Sequence, residues 1–364
     1  MYKTNKKQKA SRKNSNAAFD GVSAQEKALN LFAEMMIEKI ESIQMDWKKP
    51  WFTDGLMQLP RNLSGRHYNG GNSLMLMLCC EKHGYKLPVF CTFDRVSGLN
   101  YTRTSNGMKQ ITDKEGNPLP KVSVNKGEKS FPVFLTVFTC VHATDGTKVS
   151  YEDYKQMTES QRKEYNVFSK LQIYNVFNID QTNMKEARPE MYEKISMECQ
   201  GAKPQHTEDG FRFEPVDRMV TENLWICPIK NVHGDDAYFS LSKNCIVFPE
   251  YSQFYNGEAY YSNLFHEMAH STGHESQLNR IKEGGKWGDA AYGREELIAE
   301  LTAALVAQNY GMDKYIKEDS AAYLKSWLKS LKEDPSYIKT VLLDVKRAAS
   351  MLTLKIDALM EKPE

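Results

Sequence analysis

The sequence predicts an α+β protein built as two domains, and three observations carry that expectation. Its 364 residues exceed what one compact core usually organises. Strand-like apolar runs and helical stripes alternate in the first half, whereas the end of the chain is a succession of helical stretches. Between about 185 and 215, Pro189, Gly201, Pro204, Gly210 and Pro215 interrupt a polar segment and mark a boundary. The expected division is a basic arm over 1–20, a first domain over 21–185, a linker over 186–215 and a second domain over 216–364.

Composition excludes several classes. With 41% hydrophobic and 26% charged residues the chain is neither fibrous nor wholly disordered. Lysine and arginine total 48 against 47 acids, so the net charge of +1 argues neither for nor against a polyanionic partner, and any such argument is local. The seven cysteines include the adjacent Cys79 and Cys80 but no CxxC, which suggests reduced thiols rather than a disulfide framework or a cysteine zinc site. MYKTNKKQKASRKN has no apolar stretch behind it, and no run approaches the roughly 18 apolar residues of a membrane helix. A cytoplasmic protein with no membrane partner is expected.

Lys3, Lys6, Lys7, Lys9, Arg12 and Lys13 precede the first acid, Asp20, and define a disordered basic arm. Order begins at Ser23, where SAQE reads as a capping box and Ala28, Phe32, Met36, Ile40 and Ile43 form a helical stripe ending before Trp47. WKKPWF and LPRNLSGRHYNGGN then read as a loop mixing aromatic and basic residues. LMLMLCCEKHG predicts a short buried helix stopped at Gly84, and FPVFLTVFTCV at 131–141 a strand. A polar helix is expected over 151–165 and another strand over 170–179. Beyond the linker, LWICPI and AYFSLSKNCIVF read as strands. Helices follow at about 257–273, 294–310 and 319–333, with a fourth from 335 onward.

SNLFHEMAHSTG carries the chemistry. His266 and His270 are four apart, so on a helix they lie about 40° apart on one face, where two imidazoles can hold one ion. Glu267 between them can act as general base on a water, the HExxH arrangement of metallopeptidases. The uncharged flanks Leu264, Phe265, Met268, Ala269, Ser271 and Thr272 suit a helix buried beside an active site. GREELIAELTAAL offers the third ligand: Glu296 and Glu300 share a face, which suits Glu296 as ligand and Glu300 as the acceptor orienting a ligand histidine, whereas Glu295 points about 100° away. His274 is a rival ligand, but it directly follows Gly273, which reads as the helix stop. One Zn²⁺ per chain, or another divalent ion, is expected. KNCIVF could lend a sheet edge to a peptide substrate, and Tyr260, Tyr261 and Tyr292 are candidate oxyanion donors.

In the first half, Trp47, Trp51 and Tyr68 alternate with Lys48, Lys49, Arg61 and Arg66, a mixture that can stack bases and neutralise phosphates of single-stranded nucleic acid. Lys126 and Lys129 flank Gly127 in a turn suited to a phosphate, and Asn62 and Asn72 are further candidate contacts. WKKPW, PRNLSGRHYNGGN, VNKGEKSFPV, YNVFNIDQ, and YYSNLFHEMAHSTGH followed by YGREELIAEL are together similar to the ArdC-like antirestriction proteins of plasmids and other mobile elements, over most of the chain. The resemblance implies an N-terminal domain that binds single-stranded DNA and a C-terminal zincin-like domain. It also implies action when conjugating DNA enters as a single strand, protection of that DNA from restriction, and a protein substrate in the restriction pathway. A non-enzymatic shield with a structural or vestigial metal site is the alternative. The chain departs from the family's usual form in its basic arm, the helix at 151–165 and the linker, none of which touches the metal motif.

Overall fold

The computed structural model describes residues 23–45, 51–52, 58–105, 107–199, 210–254, 256–282, 290–315, 320 and 322–360. The expected basic arm lies outside them. Helix α1, Ala24–Met45, begins where the sequence places it: Ser23 Oγ accepts from the Glu26 backbone N–H at 3.2 Å and caps the first turn. Ala28, Phe32, Met36, Ile40 and Ile43 are all buried along its inner face.

Strand β1, Arg61–Asn62, leads to α2, Gly71–His83, which Gly84 ends in a left-handed conformation at φ 68°. Strand β2, Val89–Cys91, helix α3, Phe93–Gly98, and the hairpin β3, Tyr101–Thr104, with β4, Gly107–Gln110, follow. Strand β5, Phe131–His142, and the short β6, Lys148–Val149, come next. The polar helix expected over 151–165 is two: α4, Tyr151–Gln156, and α5, Glu159–Arg162. Thr158 starts a new cap between them, its side chain accepting from Gln161 N while the Gln161 side chain reaches back to the Thr158 backbone. Strand β7, Tyr165–Asn178, therefore begins earlier than expected and pairs with β5 along a long antiparallel ribbon, from Phe131 opposite Val176 to His142 opposite Tyr165. The sheet order is β1-β2-β7-β5-β6.

Helices α6, Met184–Ala187, and α7, Pro189–Cys199, occupy the first part of the expected linker. Pro189 opens a helix here, because a residue without an N–H costs nothing in the first turn, and Ile195 and Cys199 are buried in a small second core with Val89, Val96 and Ile179. Helix α8, Glu214–Thr221, precedes strands β8, Ile229–Val232, β9, Tyr238–Ser240, and β10, Cys245–Pro249. LWICPI thus becomes strand only at its last residue. The KNCIVF segment is not an edge of its sheet: β10 pairs in parallel with β8 and antiparallel with β9, so its backbone groups are taken on both sides, and β8 and β9 are the edges among the described residues.

Helices α9, Gly257–Ser271, α10, Ala290–Asn309, α11, Leu324–Glu333, and α12, Tyr337–Met360, complete the chain. One apolar core runs through both halves: Phe32, Met36 and Ile40 of α1 and Leu74 to Cys80 of α2 join Leu264, Leu301, Trp327 and Val345 of the later helices. Ion pairs tie the joint, Lys39 to Glu81 between α1 and α2 and Lys332 to Glu41 between α11 and α1, each at 2.8 Å. No described helix is long and apolar enough to cross a membrane.

The glycine pair of HYNGGN belongs to this joint. Gly70 has φ 53°, and a Cβ there would stand 2.6 Å from Lys346 Cβ on α12; a Cβ on Gly71 would stand 3.0 Å from Leu342 Cδ1. Only glycine lets the start of α2 lie so close to α12. Gly70→Ala is expected to cost about 1–3 kcal/mol through overpacking and backbone strain, read as an earlier denaturant midpoint; an unchanged midpoint would refute the close approach.

Candidate metal centre

Helix α9 is buried along almost its whole length. Asn256 caps it, its Oδ1 accepting from Ala259 N at 2.7 Å, and Gly257 fits because a Cβ there would stand 2.2 Å from Phe211 O. His266 and Glu267 are 1% and 2% exposed. Helix α10 packs against it and is buried from Glu296 to Ala307.

The crossing brings three side chains to one point. His266 Nε2 and His270 Nε2 are 3.1 Å apart, Glu296 Oε2 is 3.5 Å from the first, and Glu296 Oε1 is 3.5 Å from the second. Two nitrogens each roughly 2.0–2.1 Å from a tetrahedral ion would lie about 3.3 Å apart, and a carboxylate oxygen would sit at a similar distance from each. The observed spacing fits one small cation, and His266, His270 and Glu296 form the group of potential metal ligands found among the described residues. Charge points the same way. Glu267, Glu295, Glu296 and Glu300 outnumber the permanent cations Arg280 and Lys314 at the centre, and a divalent ion would close that difference.

A carboxylate lies beside each remaining ring nitrogen. His270 Nδ1 shares a hydrogen bond with Glu295 Oε1 at 3.2 Å, and His266 Nδ1 lies 3.2 Å from Glu300 Oε1 at ion-pair distance, without hydrogen-bond alignment. Such partners fix ring orientation and which nitrogen is left for an ion. Burial works against a charged His266, but Glu300 and Glu296 outweigh it and hold its pKa up at about 9. Burial likewise opposes the Glu296 carboxylate, and the two imidazoles with Ser320 outweigh it and hold its pKa down at about 2. Ser320 Oγ donates to Glu296 Oε2 at 3.0 Å.

Glu300 occupies the orienting place read from its spacing. Glu295 was expected to point away and instead serves His270, since α10 passes the histidine pair side-on and consecutive acids straddle it. Arg280 holds Glu295 in a fork, Nε to Oε2 and Nη2 to Oε1 at 2.8 Å each, and also donates to Ala269 O at 2.7 Å and Thr272 Oγ1 at 2.9 Å. Ten residues past His270 in sequence, Arg280 carried no periodic signal. His274 lies apart: its Nδ1 accepts from Ser276 N at 3.1 Å and its ring stands edge-on to Phe239.

Residues 225–341 match a family model described as a zincin-like metallopeptidase, and residues 26–177 match the model of the N-terminal domain of anti-restriction factor ArdC. The chain joins an ArdC-type N-terminal domain to a zincin-like one. Protein y4eC of Sinorhizobium fredii is 27% identical over 307 residues, 84% of each chain. A DNA primase TraC of Escherichia coli is 25% identical over 324 residues, 87% of this chain but 25% of the primase, so the chain spans about a quarter of that relative. The crystal structure of the antirestriction ArdC protein from plasmid R388, solved metal-free and with Mn(II), shares the fold at a TM-score of 0.59 and 24% identity, covering 90% of this chain and 98% of that one.

In this ArdC-like chain the expected DNA contacts separate by burial. Trp47, Lys48 and Lys49 lie outside the described residues. Trp51 is 1% exposed and its Nε1–H donates to Glu300 Oε2 at 3.2 Å, so its ring has no face for a base. Arg61 is buried with Nη2 donating to Glu198 at 2.8 Å. Asn72 donates to Phe134 O and accepts from Phe134 N, fastening α2 to β5. Asn62 Oδ1 accepts from Ser64 and Arg66 and folds its own turn. Arg66, Lys126 and Lys129 are exposed and Tyr68 is half-buried.

Arg280→Met leaves Glu295 as a nearly buried charge without its fork. The variant is expected to lose about 3–5 kcal/mol of stability in denaturant unfolding, and a loss below 1 kcal/mol would show that the fork is ornamental to the fold.

Proposed function

We propose that this ArdC-like protein is an antirestriction factor that binds single-stranded DNA through its N-terminal domain and hydrolyses a protein of the restriction pathway at a zinc centre held by His266, His270 and Glu296. The observation that carries the reading is the convergence of both Nε2 atoms and the Glu296 carboxylate within 3.5 Å. A divalent cation, zinc in this reading, would supply Lewis acidity that polarises a carbonyl and makes water easier to deprotonate.

The chain's own groups do the rest. Glu267, buried and adjacent to His266 on α9, takes the proton of the attacking water and passes it to the leaving amine. Tyr292 is half-buried and hydrogen-bonded to Glu296; burial and that carboxylate raise its pKa, so it keeps a proton that it can turn from Glu296 to the developing oxyanion. The other two candidates belong to other networks: Tyr260 OH accepts from Asn231 at 3.2 Å, and Tyr261 OH donates to Asp217 at 2.8 Å. β9 packs on α9 and is one of the sheet's two edges among the described residues, which suits it to pair with an extended peptide.

The ArdC N-terminal match supports DNA binding, as do the exposed Arg66, Lys126 and Lys129. Along β7, Phe168, Lys170 and Tyr174 share one face of the ribbon, with Phe168 60% and Tyr174 41% exposed, a further aromatic and cationic platform that alternation alone did not reveal. The reading keeps the domain division in the linker 186–215, which the gap between the two family matches supports. Entry of DNA as a single strand places the action in the cytoplasm.

Glu267→Gln tests the reading. The variant is expected to keep about one metal per chain and its single-strand affinity, and to lose cleavage and protection of incoming plasmid by about 10²–10⁴-fold. Full protection by a metal-loaded Glu267→Gln protein would sink the peptidase and leave a DNA-covering shield.

A further inference from the structure

The metal centre is completed from the other end of the chain. Glu300 is 0% exposed, and its two oxygens have separate tasks. Oε1 faces His266 Nδ1 at 3.2 Å; Oε2 accepts from Trp51 Nε1–H at 3.2 Å and lies 3.2 Å from Lys314 Nζ. Trp51 and Lys314 are also joined to each other, Trp51 N donating to Lys314 O at 2.9 Å. Glu300 and Lys314 belong to the zincin-like match, whereas Trp51 belongs to the ArdC N-terminal match, 249 residues from Glu300 in sequence.

We propose that Trp51 is a positioning residue of the metal centre, through which the N-terminal domain sets metal affinity. These two partners of Glu300 differ in kind. Lys314 supplies the opposite charge that a carboxylate removed from water requires, but an ammonium is a point charge at the end of a flexible stem and imposes little direction. Trp51 supplies the direction: its single N–H is carried on a rigid ring, 1% exposed, whose packing fixes where the hydrogen bond points. Held at Oε2, the carboxylate turns Oε1 toward His266 Nδ1, which leaves Nε2 for the ion. The coupling is reciprocal, so an ion at the centre also strengthens the seating of Trp51.

The inference rests on the metal reading above, and its test separates the two. Trp51→Phe removes the N–H and keeps a ring. In the full-length chain, Zn²⁺ affinity measured by chelator competition is expected to fall about 10–100-fold, the usual range for a lost outer partner. In a Glu300→Gln background the same substitution should cost little more, because Trp51 acts through Glu300. A readout that needs no variant to fold is the Trp51 indole Nε1–H resonance of the wild-type protein, expected to shift when Zn²⁺ is added. Tight zinc binding by the wild type with Trp51→Phe within twofold of it, or an unmoved indole resonance, would overturn the positioning role alone. No zinc uptake by the wild type would overturn the metal centre and this inference together.

Discussion

The crossing of α9 by α10 is the constraint on which the rest of the molecule turns. It places four carboxylates and two imidazoles in a region nearly closed to water, and ionised groups there must be paired or they destabilise the fold by several kcal/mol each. Three of the acids have distinct partners: Glu295 lies in the Arg280 fork, Glu296 takes Ser320, and Glu300 meets Lys314 and Trp51. What remains is a pair of Nε2 atoms and one carboxylate aimed at the same point, with the charge of the set still negative. Arrangements of this expense persist where they hold something.

The neighbouring elements can be understood as support for that crossing. Arg280 reaches back to Ala269 O and Thr272 Oγ1, so the same side chain that compensates Glu295 also closes the end of α9. Trp225 Nε1 donates to Ser271 Oγ at 2.9 Å and fixes the helix from the sheet side. From the other direction, α1 and α2 lie on α11 and α12, with Gly70 allowing backbone-close contact. The two family matches therefore describe two sequence modules that share one core, and a change at their joint reaches the centre through packed side chains rather than through a linker.

Much of this was legible from local pattern. The stripe from Ala28 to Ile43, the HExxH spacing and the shared face of Glu296 and Glu300 each depend on one helix, and periodicity reports what faces a helix presents. It does not report what lies opposite. The 100° step between Glu295 and Glu296 describes α10 alone and says nothing of where His270 lies across the crossing, and His270 Nδ1 meets Glu295. Arg280 and Trp51 enter from non-periodic segments. Composition alone makes Trp51 a base-stacking candidate, since an aromatic among lysines reads the same whether its ring is exposed or packed, and here it is packed. For KNCIVF the strand was visible but its neighbours were not, and a central strand cannot be told from an edge without knowing the sheet order.

The most direct test is a crystal of the full chain soaked in Zn²⁺ or Mn²⁺ and measured at the metal's absorption edge. The account predicts one strong anomalous peak per chain, about 2.0–2.2 Å from His266 Nε2, His270 Nε2 and a Glu296 oxygen. A peak ligated by His274 or Glu295, or no peak between α9 and α10 under conditions where the ion binds elsewhere, would contradict it.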